Sequence, residues 1–475
     1  MQFSRQLFIV YILLLFLCIL VPYEIIAYVF IGFIAIMSLF YLKTNIYFLF
    51  VYYPIRPLIS EINSGLTFLG DIVIVVCFFV LVYYERKLLK DRLSQLSYFL
   101  YFVLFLLVGS IMAILHDVSL LAIIMENRAL AIMVLMTFIF ISKIWDKKDF
   151  ANILQLSVLI AFFISIHGII EKVTSRTLLV PEAWTEWNLS IFNVGRVYGT
   201  LANPNVLAMY LLIVFFLSFL PLLKGTRFAK VLPIFQVIIL GVALLTASRG
   251  SFLAFAVGLL VFFILTRTYK LFLKIGLVFV ISLFFVYYPV NYVADQIQSN
   301  NLEEDVNENN EQTSTGPHSS FYERLLTMLS EETIQASTEW GRIYIVLKGL
   351  EVFKDHPLFG TGFGTFGDAA TLSFSSPIYE EYQISEGIYA DNQYIHILVS
   401  TGIVGTVLLI IFLVQMFRKI LPTINKGERI FFISFTLVLL VSCLYYNVLE
   451  DKTFMIYYFS ILGVLHARSR GLTHA

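Results

Sequence analysis

The stretch ADNQYIHILVSTGIVG (Ala390–Gly405) decides the fold of this chain, because a long polar interval ends there and an apolar run begins. The polar interval covers residues 291–393 in a sequence that otherwise consists of apolar runs joined by short loops. It starts with an acidic run at residues 303–311, which is typical of a solvated linker. We interpret the rest of the chain as a scaffold that holds this interval over a membrane-embedded site.

The composition is that of an integral membrane protein. Of the 475 residues, 59% are hydrophobic and 13% are charged, whereas soluble domains carry about 25% charged residues. A lipid bilayer is therefore the expected surrounding, and no nucleic-acid partner is expected. Cys18, Cys77 and Cys443 lie inside apolar runs without paired spacing, so neither a disulfide nor a metal-binding set is predicted from them.

The apolar runs predict an all-α polytopic protein. A helix needs roughly 20 apolar residues to cross a bilayer, and this measure predicts about 14 transmembrane helices and one large extracytoplasmic loop. We expect three parts: an N-terminal bundle (1–290), the loop (291–393) and C-terminal helices (394–475). The predicted spans are 7–21, 25–42, 46–60, 65–84, 96–115, 129–144, 151–170, 205–223, 231–247, 251–267, 275–290, 394–417, 430–448 and 453–466.

The placement of lysine and arginine predicts the orientation, because cytoplasmic loops are enriched in these residues. Basic clusters fall on alternate loops and lie on one side if both termini are cytoplasmic. The clusters are Arg86/Lys87/Lys90/Arg92, Lys143/Lys147/Lys148, Lys224/Arg227/Lys230, Arg267/Lys270/Lys274, Arg418/Lys419/Lys426/Arg429 and Arg468/Arg470. This orientation puts the long loop on the extracytoplasmic face.

Two outer arginines predict an anion site. Arg196 lies in NVGRVYGTLANPN (Asn193–Asn205), and Arg249 lies in the tight turn TASRGSF (Thr246–Phe252). A guanidinium at the hydrocarbon boundary is costly unless it meets an anion, and its planar fork suits phosphate or pyrophosphate oxygens. Snorkelling towards lipid headgroups is the alternative interpretation.

Asp391, Asn392 and His396 are candidate catalytic residues. Asn392 and His396 are four residues apart and share one face at the start of a helix. Asp391 is interpreted either as a general base that orients an acceptor hydroxyl or as a cap stabilised by the helix dipole. For His396, the alternative is a packed interhelical histidine. The sequence holds no HExxH and no metal-spaced histidine pair, so neither a metal nor a cofactor is expected.

Four stretches together resemble the O-antigen ligase/polymerase superfamily, whose members are polytopic enzymes that handle polyprenyl-linked glycans. They are GRVYGTLANPNVLA (Gly195–Ala208), TASRG (Thr246–Gly250), the segment from Trp340-Gly341-Arg342 to HPLFGTGFGTF (His356–Phe366), and DNQYIHILVSTGIVG (Asp391–Gly405). The resemblance implies a fold similar to metal-independent lipid-linked-sugar glycosyltransferases and an undecaprenyl-pyrophosphate-linked donor. It also implies that Arg196 and Arg249 hold the pyrophosphate.

One departure from the superfamily favours a polymerase. Ligases of lipopolysaccharide type usually carry a His-Asn pair where this chain has Asp391-Asn392. We therefore expect an inverting transfer of the growing polyprenyl-linked chain onto the next lipid-linked repeat unit, as in capsule, exopolysaccharide or teichuronic acid-type synthesis. Arg324 and Arg342 are expected to guide the acceptor lipid or an acidic glycan.

The expected location is the bacterial cytoplasmic membrane, with a chain-length regulator and a flippase as further partners. Two alternatives stay open: a ligase that transfers glycan to a terminal acceptor, and a flippase or other transporter of lipid-linked oligosaccharides. A transporter would line the membrane interior with charge. Here the middles of the predicted spans are almost purely apolar, with Asp71 as the exception.

Overall fold

A computed structural model gives the structure of the protein and describes residues 3–187, 189, 191–223, 227–297, 338 and 341–468. Within these ranges all regular secondary structure is helical and no strand is present. The helices are α1 (Arg5–Leu20), α2 (Glu24–Ser38), α3 (Leu42–Ile62), α4 (Leu69–Tyr84), α5 (Leu89–Gln95), α6 (Phe99–Leu115), α7 (Leu120–Ala131), α8 (Val134–Phe140), α9 (Lys147–Val173), α10 (Glu182–Thr185), α11 (Ile191–Val194), α12 (Pro204–Leu217), α13 (Leu232–Leu245), α14 (Arg249–Thr266), α15 (Tyr269–Ser282), α16 (Arg342–Asp355), α17 (Gln393–Ile420), α18 (Lys426–Ser442) and α19 (Lys452–Arg468).

Several helices are long and apolar enough to cross a membrane. In the described part of the chain there are 5 of them, or up to 6 if the bent pair α7 and α8 forms one span. They cover Ser64–Tyr84, Lys147–Val173, Arg249–Thr266, Tyr269–Ile297 and Gln393–Thr423. Shorter apolar helices (α1, α2, α6, α12 and α13) accompany them. The architecture is consistent with a multi-pass membrane protein, whereas the count of about 14 spans and the three-part division stay predictions.

The predicted span 129–144 is wrong in its boundaries. The chain is helical from Leu120, breaks after Ala131 and continues as α8 to Phe140, with a bend of 41° between the two helices. The sequence prediction placed one straight helix across this break because the residues on both sides are apolar. Glu126, which lies in α7 before this break, is fully buried.

The polar interval does not simply cover the helices, because its glycine-rich part inserts between α6 and α17. The amides of Thr361 and Gly362 donate to the carbonyls of Val399 and Ser400, each at 2.9 Å. Gly362 has φ +98°, and a Cβ atom on it would lie 2.0 Å from the backbone nitrogen of Ala113 in α6. Only glycine fits this approach of backbone to backbone.

Helix α17 is broken where the inserted segment meets it. Gly402 has φ 60° and ψ −161°, which is not helical. The amides of Ile403 and Val404 donate instead to the carbonyls of Pro357 and Leu358, at 2.9 and 3.0 Å. The inserted segment thus satisfies backbone groups that the break would otherwise leave unpaired in an apolar region. It also fixes the first turns of α17, which follow Asp391.

Candidate active site

Arg196 is held by neighbouring polar groups in the loop before α12. Its Nε donates to the carbonyl oxygen of Thr246 at 2.8 Å. Its Nη1 donates to Oδ1 of Asn193 at 3.1 Å, and its Nη2 donates to Oδ1 of Asn205 at 2.7 Å. The side chain is half-buried. These contacts orient the guanidinium, unlike that of an arginine extending freely into lipid headgroups.

The turn that carries Arg249 is joined to the Arg196 loop through Asn205. Arg249 is the first residue of α14, and Ser248 precedes it. The Ser248 hydroxyl donates to Oδ1 of Asn205 at 2.8 Å, and the Ser251 hydroxyl donates to the Asn205 carbonyl at 3.1 Å. Asn205 Oδ1 therefore accepts from both Ser248 and Arg196. The structure brings together the two arginine-bearing segments, which are distant in the sequence.

Arg342 and Asp391 complete the group. Arg342 is the first residue of α16 and is exposed. Its positive charge repels that of Arg249. Asp391 has a left-handed backbone (φ 45°) immediately before α17. Burial raises the pKa of its carboxyl group, while the positive charges of Arg342 and Arg196 oppose that rise. We name Arg196, Arg249, Arg342 and Asp391 the arginine–aspartate group.

Asn392, rather than Asp391, caps α17. Oδ1 of Asn392 accepts from the amides of Tyr394 and Ile395, each at 3.1 Å. Its Nδ2 donates to the carbonyl of Leu444 at 3.3 Å, which ties the helix start to the segment after α18. The interpretation of Asp391 as the helix cap is therefore wrong, because the Asn392 side chain occupies the N-cap position of α17.

His396 lies in a different environment from Asp391. It is fully buried, with Nε2 3.7 Å from Oδ2 of Asp368 and Nδ1 3.4 Å from Oε1 of Glu450. Donor atoms of Glu126, His396 and Glu450 all lie within 4.8 Å of one another, a grouping that could hold a metal ion. Burial raises the pKa of Glu450 to about 7. Asn392 and His396 therefore lie on one face of α17 but have different surroundings: Asn392 caps the helix, whereas His396 contacts the buried carboxyl groups of Asp368 and Glu450.

A cavity of about 340 Å³ opens beside Arg196. Two of the four tryptophans of the chain, Trp184 and Trp187, line it with ring centroids 5.3 Å apart. The guanidinium of Arg176 lies 5.0 Å from the Trp187 ring and 4.3 Å from the Tyr198 ring. The full lining is Glu171, Lys172, Ser175, Arg176, Trp184, Thr185, Trp187, Leu189, Val194, Gly195 and Arg196.

Two further residues of the sequence interpretation cannot be placed in the site. Arg324 and Trp340 lie outside the described residues. The sequence interpretation missed Glu126, Glu450 and the aromatic cavity. The two tryptophans three residues apart in an outer loop were a usable signal for the cavity. For Glu126 and Glu450 no local signal exists, because their partners come from remote segments.

A known protein family matches the part of the chain that holds most of the arginine–aspartate group. Residues 234–410 match the family model described as O-antigen ligase. The resemblance to the O-antigen ligase/polymerase superfamily is thereby confirmed. No curated protein matches the chain.

The matched range contains Arg249, Arg342 and Asp391, while Arg196 lies before it. An O-antigen-ligase-type match together with the apolar helices indicates a membrane enzyme that transfers glycan, with a polyprenyl-linked glycan as substrate. The match does not separate polymerase from ligase.

Proposed function

We propose that this protein is a metal-independent, inverting glycosyltransferase of the bacterial cytoplasmic membrane, with both termini in the cytoplasm. It polymerises undecaprenyl-pyrophosphate-linked oligosaccharide repeat units on the extracytoplasmic face. The observation that carries the proposal is the hydrogen bonding of Asn205 to both arginine-bearing segments, with Asp391 in electrostatic contact with Arg196 and Arg342. A base next to several guanidiniums suits a reaction in which a hydroxyl is deprotonated and a diphosphate departs.

In the proposed reaction, a hydroxyl of the acceptor repeat unit attacks the anomeric carbon of the donor sugar. The hydroxyl proton passes to Asp391, the new glycosidic bond forms, and the bond from the anomeric carbon to the pyrophosphate oxygen breaks. Arg196 and Arg249 neutralise the negative charge that develops on the departing pyrophosphate. Preoriented charges of this kind stabilise a transition state more than free water does.

The cavity beside Arg196 suits the donor glycan. Its volume of about 340 Å³ accommodates a small number of sugar rings, and Trp187 is half-buried in its wall. An aromatic face gives a sugar ring an apolar surface to pack on, while the sugar hydroxyls remain free to form hydrogen bonds. We therefore place the sugars nearest the pyrophosphate in this cavity.

The test is chain extension in proteoliposomes that hold the purified full chain and one defined lipid-linked repeat unit. We expect a ladder of lengthening polyprenyl-linked glycans from the wild type. Asp391→Asn should slow extension by about 100-fold or more, in the range that general-base catalysis supplies. The matched control is Glu380→Gln, an exposed carboxylate in the same polar interval. Equal activity of Asp391→Asn and the control would remove Asp391 from the mechanism.

The second candidate is a ligase, which the family description itself favours. A ligase would give no ladder from the lipid-linked unit alone, and would transfer glycan only when a terminal acceptor is added. A transporter would move labelled lipid-linked glycan across the bilayer without a change in chain length. The same proteoliposomes therefore separate all three functions.

A further inference from the structure

A second group of cations lies near the ends of α3 and α7 and the beginnings of α4 and α19. Lys452 Nζ donates to Oδ1 and Oδ2 of Asp71 at 2.7 and 2.6 Å. Arg128 Nη1 approaches Oδ2 of the same carboxylate at 3.4 Å. The positive charges of Arg56 and Arg128 both repel that of Lys452. We name Arg56, Arg128, Lys452 and Asp71 the Asp71 cation group.

The Asp71 cation group has more positive charge than its described surroundings compensate. In the part of the chain that the structure describes, no carboxylate other than Asp71 forms an ion pair with Arg56, Arg128 or Lys452. With three cations and one carboxylate, the excess is two positive charges. Such charge is costly at the edge of the hydrocarbon unless it meets an anion. In the predicted orientation the group also faces the extracytoplasmic side, where the insertion bias disfavours lysine and arginine.

Arg128 has hydrogen-bond donors that no described group satisfies. Its Nε and Nη1 are buried without a hydrogen-bond partner among the described residues. The carboxylate of Asp71 is already engaged, because Lys452 contacts both of its oxygens and the Tyr53 hydroxyl donates to Oδ1 at 3.3 Å. The Arg128 guanidinium lies 4.7 Å from the ring of Phe68, which is 51% exposed. The unsatisfied donors therefore lie beside the protein surface, within reach of an external anion.

Arg56 is oriented by the turn between α3 and α4. Its side chain is half-buried, and its Nε donates to the carbonyl of Thr67 at 3.2 Å. Arg196 is held in the same way, with its Nε donating to the carbonyl of Thr246. A guanidinium fixed through Nε is preoriented for phosphate oxygens, which its planar fork binds bidentately.

Helix α3 links the Asp71 cation group to the loop that carries Arg196. The Thr200 hydroxyl donates to the carbonyl of Pro54 at 2.7 Å. Thr200 lies four residues after Arg196, and Pro54 lies two residues before Arg56. The two arginines are therefore on neighbouring segments of the structure.

A second link joins the Asp71 cation group to the segment that carries Asp391. The amide of Leu449 donates to the side-chain oxygen of Gln393 at 2.9 Å. Leu449 lies three residues before Lys452, and Gln393 lies two residues after Asp391. The candidate base thus has one cationic group in electrostatic contact with it and another attached to its supporting backbone.

We propose that the Asp71 cation group binds the diphosphate of the acceptor, a second polyprenyl-diphosphate-linked repeat unit, while Arg196 and Arg249 bind that of the donor. This inference rests on the proposed polymerisation, in which two diphosphate lipids are bound at once. A diphosphate esterified at both ends carries one ionised oxygen on each phosphorus at neutral pH, which matches the excess charge of the group. The attacking hydroxyl belongs to a sugar further along the acceptor unit, so the acceptor diphosphate lies away from Asp391.

The first test counts bound lipid-linked units without glycan transfer. The full chain with Asp391→Asn, which turns over too slowly to consume the probe, is placed in phosphatidylcholine nanodiscs with one defined lipid-linked repeat unit. Native mass spectrometry should find about two units per chain, one for each cationic group. Arg56→Gln or Arg128→Gln, added to Asp391→Asn, should each lower this to about one. The control is Arg267→Gln, an exposed arginine after α14, which should leave the count unchanged.

The second test measures donor and acceptor kinetics separately. A preformed longer chain on the polyprenyl carrier is the donor, and a labelled single unit is the acceptor. Arg56→Gln should raise KM for the acceptor by about tenfold and leave KM for the donor unchanged, as expected for the loss of one charged contact. The unfolding temperature of Arg56→Gln without substrate should not fall, because the substitution removes one of several like charges. A purely structural role of Arg56 would instead lower stability and leave the two KM values unchanged.

The outcomes separate this inference from the proposed function. One bound unit per chain in a protein that produces a ladder of products would overturn the second diphosphate site alone. Two bound units without a ladder would support that site and contradict the polymerase. One bound unit without a ladder would contradict both.

Nanodiscs that contain phosphatidylglycerol test an ordinary phospholipid headgroup as the source of the phosphate. We expect the second lipid-linked unit to bind in these nanodiscs as well. If phosphatidylglycerol displaced that unit, and Arg56→Gln released the phosphatidylglycerol, the site would bind headgroups and the proposal would be wrong.

Discussion

Arg196 and Asn205 form a 2.7 Å hydrogen bond from guanidinium Nη2 to amide Oδ1, and this bond links the loop before α12 to the first turn of α12. Asn205 receives a second bond from Ser248 on the same oxygen. The Asn205 side chain therefore joins the two arginine-bearing segments, in addition to the direct bond from Arg196 Nε to the carbonyl of Thr246.

Asn205→Ala is expected to lower chain extension by about 10- to 100-fold without unfolding the protein. The loss corresponds to a hydrogen bond to a charged group, roughly 1.5–3 kcal/mol. The measurement is the initial rate of glycan extension in proteoliposomes. Asn291→Ala is the control, because the Asn291 side chain donates to the carbonyl of Tyr287, four residues earlier in the chain, at 3.0 Å. An Asn205→Ala rate equal to that of the control would show that the link is dispensable.

Arg249→Lys is expected to lower the rate by about 100-fold, in the range found when one transition-state donor is removed. Lysine keeps the charge but cannot reproduce the planar fork that binds two phosphate oxygens. Arg267→Lys, at the opposite end of α14, is the matched control and should extend glycans at the wild-type rate. If Arg249→Lys retained full activity, a positive charge alone would suffice to stabilise the departing pyrophosphate, and bidentate binding would be excluded.

Arg342→Gln is expected to move the acidic limb of the pH–rate profile to higher pH. The positive charge of Arg342 lowers the pKa of Asp391 against the effect of burial, so removing it raises that pKa further. A general base acts in its deprotonated form, so the rate falls as pH drops through the Asp391 pKa, and the fall begins at higher pH in the variant. Lys348→Gln on the same helix is the control, since Lys348 pairs with Glu351. An acidic limb unchanged by Arg342→Gln would mean that another group sets it.

Trp187→Ala is expected to raise KM for the lipid-linked donor by about tenfold with a smaller effect on kcat. Loss of an aromatic stacking surface costs roughly 1–2 kcal/mol of binding that is present before and during the reaction. Trp187→Phe should recover most of the affinity because it keeps an apolar ring. An unchanged KM in Trp187→Ala would place the donor glycan elsewhere.

The sequence was informative where local chemistry decides the structure. The apolar run at 251–267 corresponds to α14 (Arg249–Thr266); the sequence placed Arg249 in the turn before this run, and in the structure Arg249 is the first residue of the helix. Asn203-Pro204 begins α12, with the Asn203 side chain as its cap. In these cases the residue types themselves restrict the backbone.

It was uninformative where remote segments meet. Glu126 and Glu450 look unremarkable in the sequence, and only the bend after α7 and the turn after α18 bring them to His396. The packing of Gly362 against α6 was likewise not predictable, because the glycines of this segment would be equally compatible with any sharp turn. Choosing Asn392 over Asp391 as the cap required the backbone angles themselves.

The buried ion pair between Asp71 and Lys452 predicts a large stability effect. Lys452 Nζ lies 2.6 Å from Oδ2 of Asp71, both side chains are less than 10% exposed, and Arg128 Nη1 approaches the same carboxylate at 3.4 Å. Asp71→Asn leaves the buried Lys452 ammonium and the half-buried Arg128 guanidinium without their counter-charge, and breaking a buried ion pair typically costs about 3–5 kcal/mol. We expect the unfolding temperature in detergent to fall by several degrees, and the double variant Asp71→Asn/Lys452→Gln to recover part of the loss.

The exposed pair Lys348–Glu351 provides the control for this effect. Its nitrogen and oxygen are 3.0 Å apart, but the Glu351 side chain is 54% exposed, so Glu351→Gln should change stability by less than about 1 kcal/mol. The comparison also tests the transporter alternative, in which Asp71 would be a substrate-carrying charge inside the membrane. In that case Asp71→Asn would fold with normal stability and abolish transport. Loss of stability with residual chain extension would instead identify Asp71 as the counter-charge that holds α4, α7 and α19 together.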